Sequence, residues 1–106
     1  MKKTGSLKVS VSGTLDREHL IMHPNNGFDL GLLRVEHTVK LCLDLKLEDY
    51  LKGDDSQADF VRLALKNDCP RETLVVGTAL HHLLGEPAKA VVLFDGQRLY
   101  VHNQPG

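Results

Sequence analysis

Leu33-Arg34-Val35-Glu36-His37-Thr38-Val39-Lys40-Leu41-Cys42-Leu43-Asp44-Leu45-Lys46-Leu47 is the stretch on which the fold turns. Its odd positions read Leu, Val, His, Val, Leu, Leu, Leu, Leu, while the even ones carry Arg34, Glu36, Thr38, Lys40, Cys42, Asp44 and Lys46. A helix scatters those apolar residues around its circumference; a strand gathers them on one face. The pattern predicts one long strand with its odd side chains in the interior. His37 then lies on the apolar side between Val35 and Val39, with Cys42 on the opposite face.

Outward from this segment, Leu7, Val9 and Val11 alternate with Lys8, Ser10 and Ser12, a second strand that Gly13 ends. A short apolar run, His19–Met22, stops at Pro24-Asn25-Asn26-Gly27, which predicts a turn into the next strand. After Leu33–Leu47, residues 47–52 predict one helical turn before Gly53. Ala58, Phe60, Val61, Ala64 and Leu65 stand at helical spacings, predicting a helix capped by Asp55 or Ser56 that runs through Asn67. Pro70 and Gly85 bracket a second helix over about 70–84, although Thr73–Thr78 also reads as a strand and Gly77 weakens a helix there. Asp95-Gly96 between Ala90–Phe94 and Gln97–His102 predicts a hairpin, with Ala90, Val92, Phe94, Leu99 and Val101 on its core side. No internal repeat is evident. The order predicts one small α+β domain over residues 1–106: an antiparallel or mixed sheet of about five strands with two main helices packed on one face.

With 13 basic against 14 acidic residues, the net charge of −1 supplies no long-range attraction for nucleic acid or an anionic membrane. Neither a signal peptide nor an apolar run long enough for a membrane helix is present, which together with only two cysteines points to a cytoplasmic protein with reduced thiols. Phosphate-binding glycine motifs are missing, and with them any indication of a nucleotide cofactor. No metal site is predicted: Cys42, Cys69 and the six histidines lack the usual zinc spacings, and the acidic run from Asp44 to Asp59 lacks the order of a calcium loop. That run, holding Glu48, Asp49, Asp54 and Asp55, reads as solvated helix caps or as a docking surface for a basic partner.

The leading functional reading is a non-catalytic binding or regulatory module acting through protein–protein contacts, as a homo-oligomer or with a protein partner. Val91, Leu93 and Tyr100, on the second face of the hairpin, are the expected interface. The alternative is a small hydrolase or transferase with His37, His81 or His82 as general base, and a second alternative is a metal-binding protein. Neighbours on a helix point about 100° apart, so His81 and His82 are expected to divide, one buried and one exposed.

Overall fold

A computed structural model describes residues 1–43, 46–54 and 58–104. Its strands are β1 (Lys2–Lys3), β2 (Leu7–Ser12), β3 (His19–Met22), β4 (Glu36–Cys42), β5 (Ala58–Leu65), β6 (Thr73–Gly77), β7 (Lys89–Phe94) and β8 (Arg98–Gln104). Three short helices join them: α1 (Pro24–Asp29), α2 (Leu47–Leu51) and α3 (Thr78–Leu83). Seven strands close a ring in the order β7-β2-β6-β3-β5-β4-β8, with β8 bonded back to β7, and β1 lies along β7 in line with β2. The architecture is a closed mixed β-barrel, which overturns the expected α+β sheet with two main helices on one face.

The helix expected through Asn67 is β5, its expected cap at Asp55 or Ser56 lying outside the described residues, and the one expected over 70–84 divides into β6 and α3. In β5, Val61, Leu63 and Leu65 are buried and alternate with less buried neighbours, a period-two pattern hidden inside the helical one. Both edges of β5 are bonded, to β3 and to β4, so ladder pairing overrides a local preference that either pattern satisfies. The turn expected at Pro24–Gly27 is the first part of α1, where His23 accepts a hydrogen bond from the Asn25 amide and Pro24 opens the helix.

The middle of the long strand is as the alternation requires, with Val39 and Leu41 buried. Its ends are not: the strand starts at Glu36, and Leu47 opens α2. Leu33 and Val35, expected in the interior, stand 76% and 79% exposed. Leu7, Leu20, Met22, Val39, Leu41, Leu63, Leu74, Val76, Val92 and Leu99 fill the inside of the ring, so it is a packed core. A second cluster lies apart from it, where α2 covers Cys42 and Tyr100 with Tyr50, the two tyrosine rings stacked at 5.0 Å.

Residues 54 positions apart occupy matching places. Lys8 pairs with Thr73 as Arg62 does with His19, and Val11 with Val76 as Leu65 does with Met22. The Lys8 amide donates to the Glu72 carbonyl at 2.8 Å, and the Arg62 amide to that of Glu18 at 2.7 Å. Ile21 lies opposite Val75, its own counterpart, so an approximate two-fold axis passes between β3 and β6. Only scattered identities survive, among them Arg17-Glu18 with Arg71-Glu72 and Leu30-Gly31 with Leu84-Gly85, which is why no repeat is evident in the sequence. Gly31 and Gly85 both follow a helix with positive φ, the conformation that lets each chain turn out of its helix at least cost.

At the β7–β8 hairpin the two-residue loop is Gly96-Gln97, not Asp95-Gly96, with Gly96 first at a φ of 102°. The pairing moves by two residues, which keeps the expected core side intact. Asp95 explains the choice: its carboxylate accepts from the amides of Gln97 (2.9 Å) and Arg98 (2.7 Å) and pairs with the Arg98 guanidinium at 2.7 Å. Burial pushes the Asp95 pKa up, but these amides and the guanidinium outweigh it and hold the group below its ordinary value. Stability from this carboxylate is therefore present above the unfolded pKa and lost as pH falls through the folded one. Asp95→Asn is expected to cost about 1–2 kcal/mol at neutral pH. In denaturant titrations that gap should narrow below about pH 4, where the wild type itself protonates; a gap constant across pH sinks the assignment.

Candidate functional site: a cationic cleft beside an open stretch of β4

The barrel interior is filled by side chains, and the clefts lie on its outside. A cleft of about 570 Å³ lies where the segment after α1 enters β4, bounded across from it by the β7–β8 turn. Arg34, His37, Thr38, Lys40, Phe60 and Gln97 are among its lining residues, and no described acidic residue lines it. The Lys40 ammonium stands 5.6 Å from the centre of the ring of Phe60, a residue 67% exposed although Val61 beside it on β5 is buried. His37 is half-buried; its Nε2 accepts the Arg34 amide at 3.1 Å, which puts the ring proton on Nδ1 in the neutral form. Burial, then the Arg34 charge, holds its pKa below the ordinary histidine value.

The strand beside this cleft is only partly covered. The Leu65 amide donates to the Val35 carbonyl at 2.8 Å, which fixes the phase of the ladder: odd residues of β4 turn their backbone groups toward β5, even ones away from it. Lys40 uses its outward amide on the Gln97 carbonyl at 3.1 Å, and β8 pairs with β4 from Lys40 to Cys42 only. Among the described residues, the outward N–H and C=O groups of Glu36 and Thr38 meet no strand. Here the two halves of the barrel also differ. Judged by their pairing with β5 and β2, His37 and Ala88 are counterparts, yet the chain runs from Gly31 to His37 in one half and only from Gly85 to Ala88 in the other. The added residues sit in the segment holding Leu33, Arg34 and Val35.

On the other side of that segment is an apolar groove of about 310 Å³, lined by Pro24, Asn25, Phe28, Leu32, Leu33, Arg34, Val35, Leu65 and Asn67. Phe28 (68%), Leu33 and Val35 project into solvent around it. Sequence reasoning missed this surface because the alternation continues past the end of the ladder, so Leu33 and Val35 read as interior.

The other candidate residues are dispersed. His81 and His82 lie on α3, away from β4: His81 Nε2 is 3.1 Å from the Pro87 carbonyl, whereas His82, 79% exposed, meets Glu86 at 3.3 Å. One ring was expected to be buried and the other exposed; His82 is exposed, whereas His81 is half-buried. Cys42 and Cys69 are both buried and unbridged, and burial raises the Cys69 pKa. Among the described residues, no group of three histidine, cysteine, aspartate or glutamate side chains is placed to hold a metal ion. Tyr100 is buried under α2, and Val91 and Leu93 are half-buried. The edges of β7 and β8 are bonded within the chain, so the hairpin offers no free edge at these positions. Of the acidic run, Asp59 pairs with Arg17 at 2.9 Å and Glu48 and Asp49 fall in the first turn of α2, while Asp44 and Asp55 lie outside the described residues.

Fold and site together define a closed mixed β-barrel with a cationic cleft and an adjoining apolar groove on its outer wall. The chain matches no protein-family model and no curated protein. No described helix is long and apolar enough to cross a membrane.

Proposed function

We propose that this protein is a non-catalytic binding module that acts through protein–protein contacts and pairs with a second copy of itself over the face formed by Phe28, Leu33 and Val35. The observation that carries the reading is the exposure of these three large apolar side chains around one groove. Contiguous apolar surface is rarely left uncovered on a monomer. Among the described residues Arg34 is the one charged side chain lining the groove, so covering it desolvates little charge. Its polar margin includes Asn25 and Asn67, whose amides both donate and accept and can therefore meet their own copies across a two-fold axis.

Sedimentation equilibrium tests this directly. The wild type is expected to shift from monomer to dimer with rising concentration, and Leu33→Ser combined with Val35→Ser to stay monomeric. Stability should change little, by about 0.5 kcal/mol per exposed site. A wild type that remains monomeric up to about millimolar concentration, where the weakest specific pairs still form, removes the self-association reading.

A further inference from the structure

The geometry points to a two-fold axis beside Val35, with Arg34 of each copy bonded to Glu36 of the other, so that two reciprocal ion pairs select a second copy of this chain over other apolar partners. This arrangement rests on the reading that the apolar face meets its own copy, and it adds the residues that make the contact specific and sensitive to salt. Leu33, Arg34, Val35 and Glu36 are four exposed residues in succession, within and just beyond the segment by which one half of the barrel exceeds the other. The counterpart half runs from Gly85 to Ala88 without that segment, so closing the ring does not require this surface. Val35 is the most exposed large apolar residue among those described, and charges of opposite sign flank it in the chain. Among the described residues, neither Arg34 nor Glu36 has a salt-bridge partner within the chain.

The alternation of sign decides the occupant. A two-fold contact matches residue i of one copy with j of the other, and j with i. With the axis at Val35, antiparallel segments bring Val35 against Val35 and set Arg34 beside Glu36 at both ends, because each stands one position from the axis. Moving the axis to Arg34 or to Glu36 sets like charges against each other, which costs affinity. A partner of a single charge sign gains at one of these residues and loses at the other. The segment's own copy matches both. A guanidinium can hold a carboxylate through two parallel hydrogen bonds, so each pair also fixes orientation. The outward N–H and C=O of Glu36 meet no strand among the described residues, which leaves that side of Glu36 open to the second copy.

Charge exchange followed by sedimentation velocity tests the pairing. Arg34→Glu puts acidic residues on both sides of Val35 and Glu36→Arg basic ones, so each variant alone is expected to dimerise on the order of tenfold more weakly than the wild type. Mixed, with fluorescein on one of them, the two are expected to form a heterodimer at about the wild-type affinity, and the double exchange, Arg34→Glu with Glu36→Arg, to restore the homodimer. Both positions are exposed, so every variant should melt with the wild type. Raising salt from about 0.1 M to about 1 M shortens the screening length from roughly 10 Å to roughly 3 Å and should weaken the wild-type dimer, whereas purely apolar pairing would hold. A wild type that stays monomeric removes the apolar-face reading and this one with it. A wild type that dimerises while the single variants do so equally well, while their mixture fails to combine, or while salt has no effect overturns the ion pairs and the axis and leaves the apolar face standing.

Discussion

Gly77→Ala is expected to be the most damaging small substitution in the barrel, lowering stability by about 3 kcal/mol or more. Gly77 ends β6 and precedes α3 in ordinary extended backbone, φ −77° and ψ 167°, so its need for glycine is not conformational. It is steric: a Cβ there falls 2.0 Å from the Leu15 carbonyl oxygen, within the chain that leads from β2 to β3. Neither partner can rotate away, because both are backbone. Gly27 makes a useful control. A Cβ there meets the methyl groups of Leu65 at 2.5 and 2.6 Å, the movable end of a flexible side chain, so Gly27→Ala is expected to cost about 1 kcal/mol. Thermal melts distinguish the two: for a domain of this size 3 kcal/mol corresponds to a fall of roughly 15 °C. Equal effects at both glycines disprove the close approach at Gly77.

Tyr50→Ala is the second large expected effect, about 4 kcal/mol. Tyr50 is fully buried although it sits outside the barrel, because its ring is enclosed between Tyr100 and the Arg98 guanidinium, 4.5 Å from the ring centre. Its hydroxyl donates to the Arg98 carbonyl at 2.8 Å, and Arg98 in turn donates to the carbonyls of Tyr50 (3.0 Å) and Asp54 (2.7 Å). Burial raises the Tyr50 pKa well above the usual phenol range, so the hydroxyl is a donor at neutral pH. Removing the ring uncovers Cys42, and a thiol reagent should label Cys42 much faster than in the wild type. Tyr50→Phe removes only the hydroxyl bond and is expected to cost about 1 kcal/mol. An alanine variant that melts with the wild type and leaves Cys42 protected contradicts this role.

How much of this was legible in the sequence follows from the range of the forces involved. The middle of β4 was readable because its two faces see different solvents, and a period of two records that directly. The core side of the hairpin was readable for the same reason, even though Asp95 moves its loop by one residue. β5 was misread because Ala58, Val61 and Leu65 satisfy a helical stripe as well as Val61, Leu63 and Leu65 satisfy a strand. The decision belongs to β3 and β4, residues far away in the chain. Ring closure was invisible for a related reason: alternation says which face is buried but nothing about which strands are neighbours. Of the candidate site, only His37 was singled out beforehand. Arg34, Lys40 and Phe60 carry no distinctive spacing, and the open stretch of β4 exists only because β8 stops pairing at Lys40.

The place of β8 in the ring has a consequence for how the protein is made. As the chain leaves the ribosome from its N-terminus, β4 and β7 are both complete before residues 98–104 emerge, and β8 is the strand that joins them. Until then each presents a raw edge and the apolar lining of the ring is unsealed, the condition in which nascent chains adhere to one another or recruit chaperones. Stalling synthesis just before Arg98 should therefore yield a sticky, protease-sensitive product, and releasing the last seven residues of β8 should convert it to a resistant one.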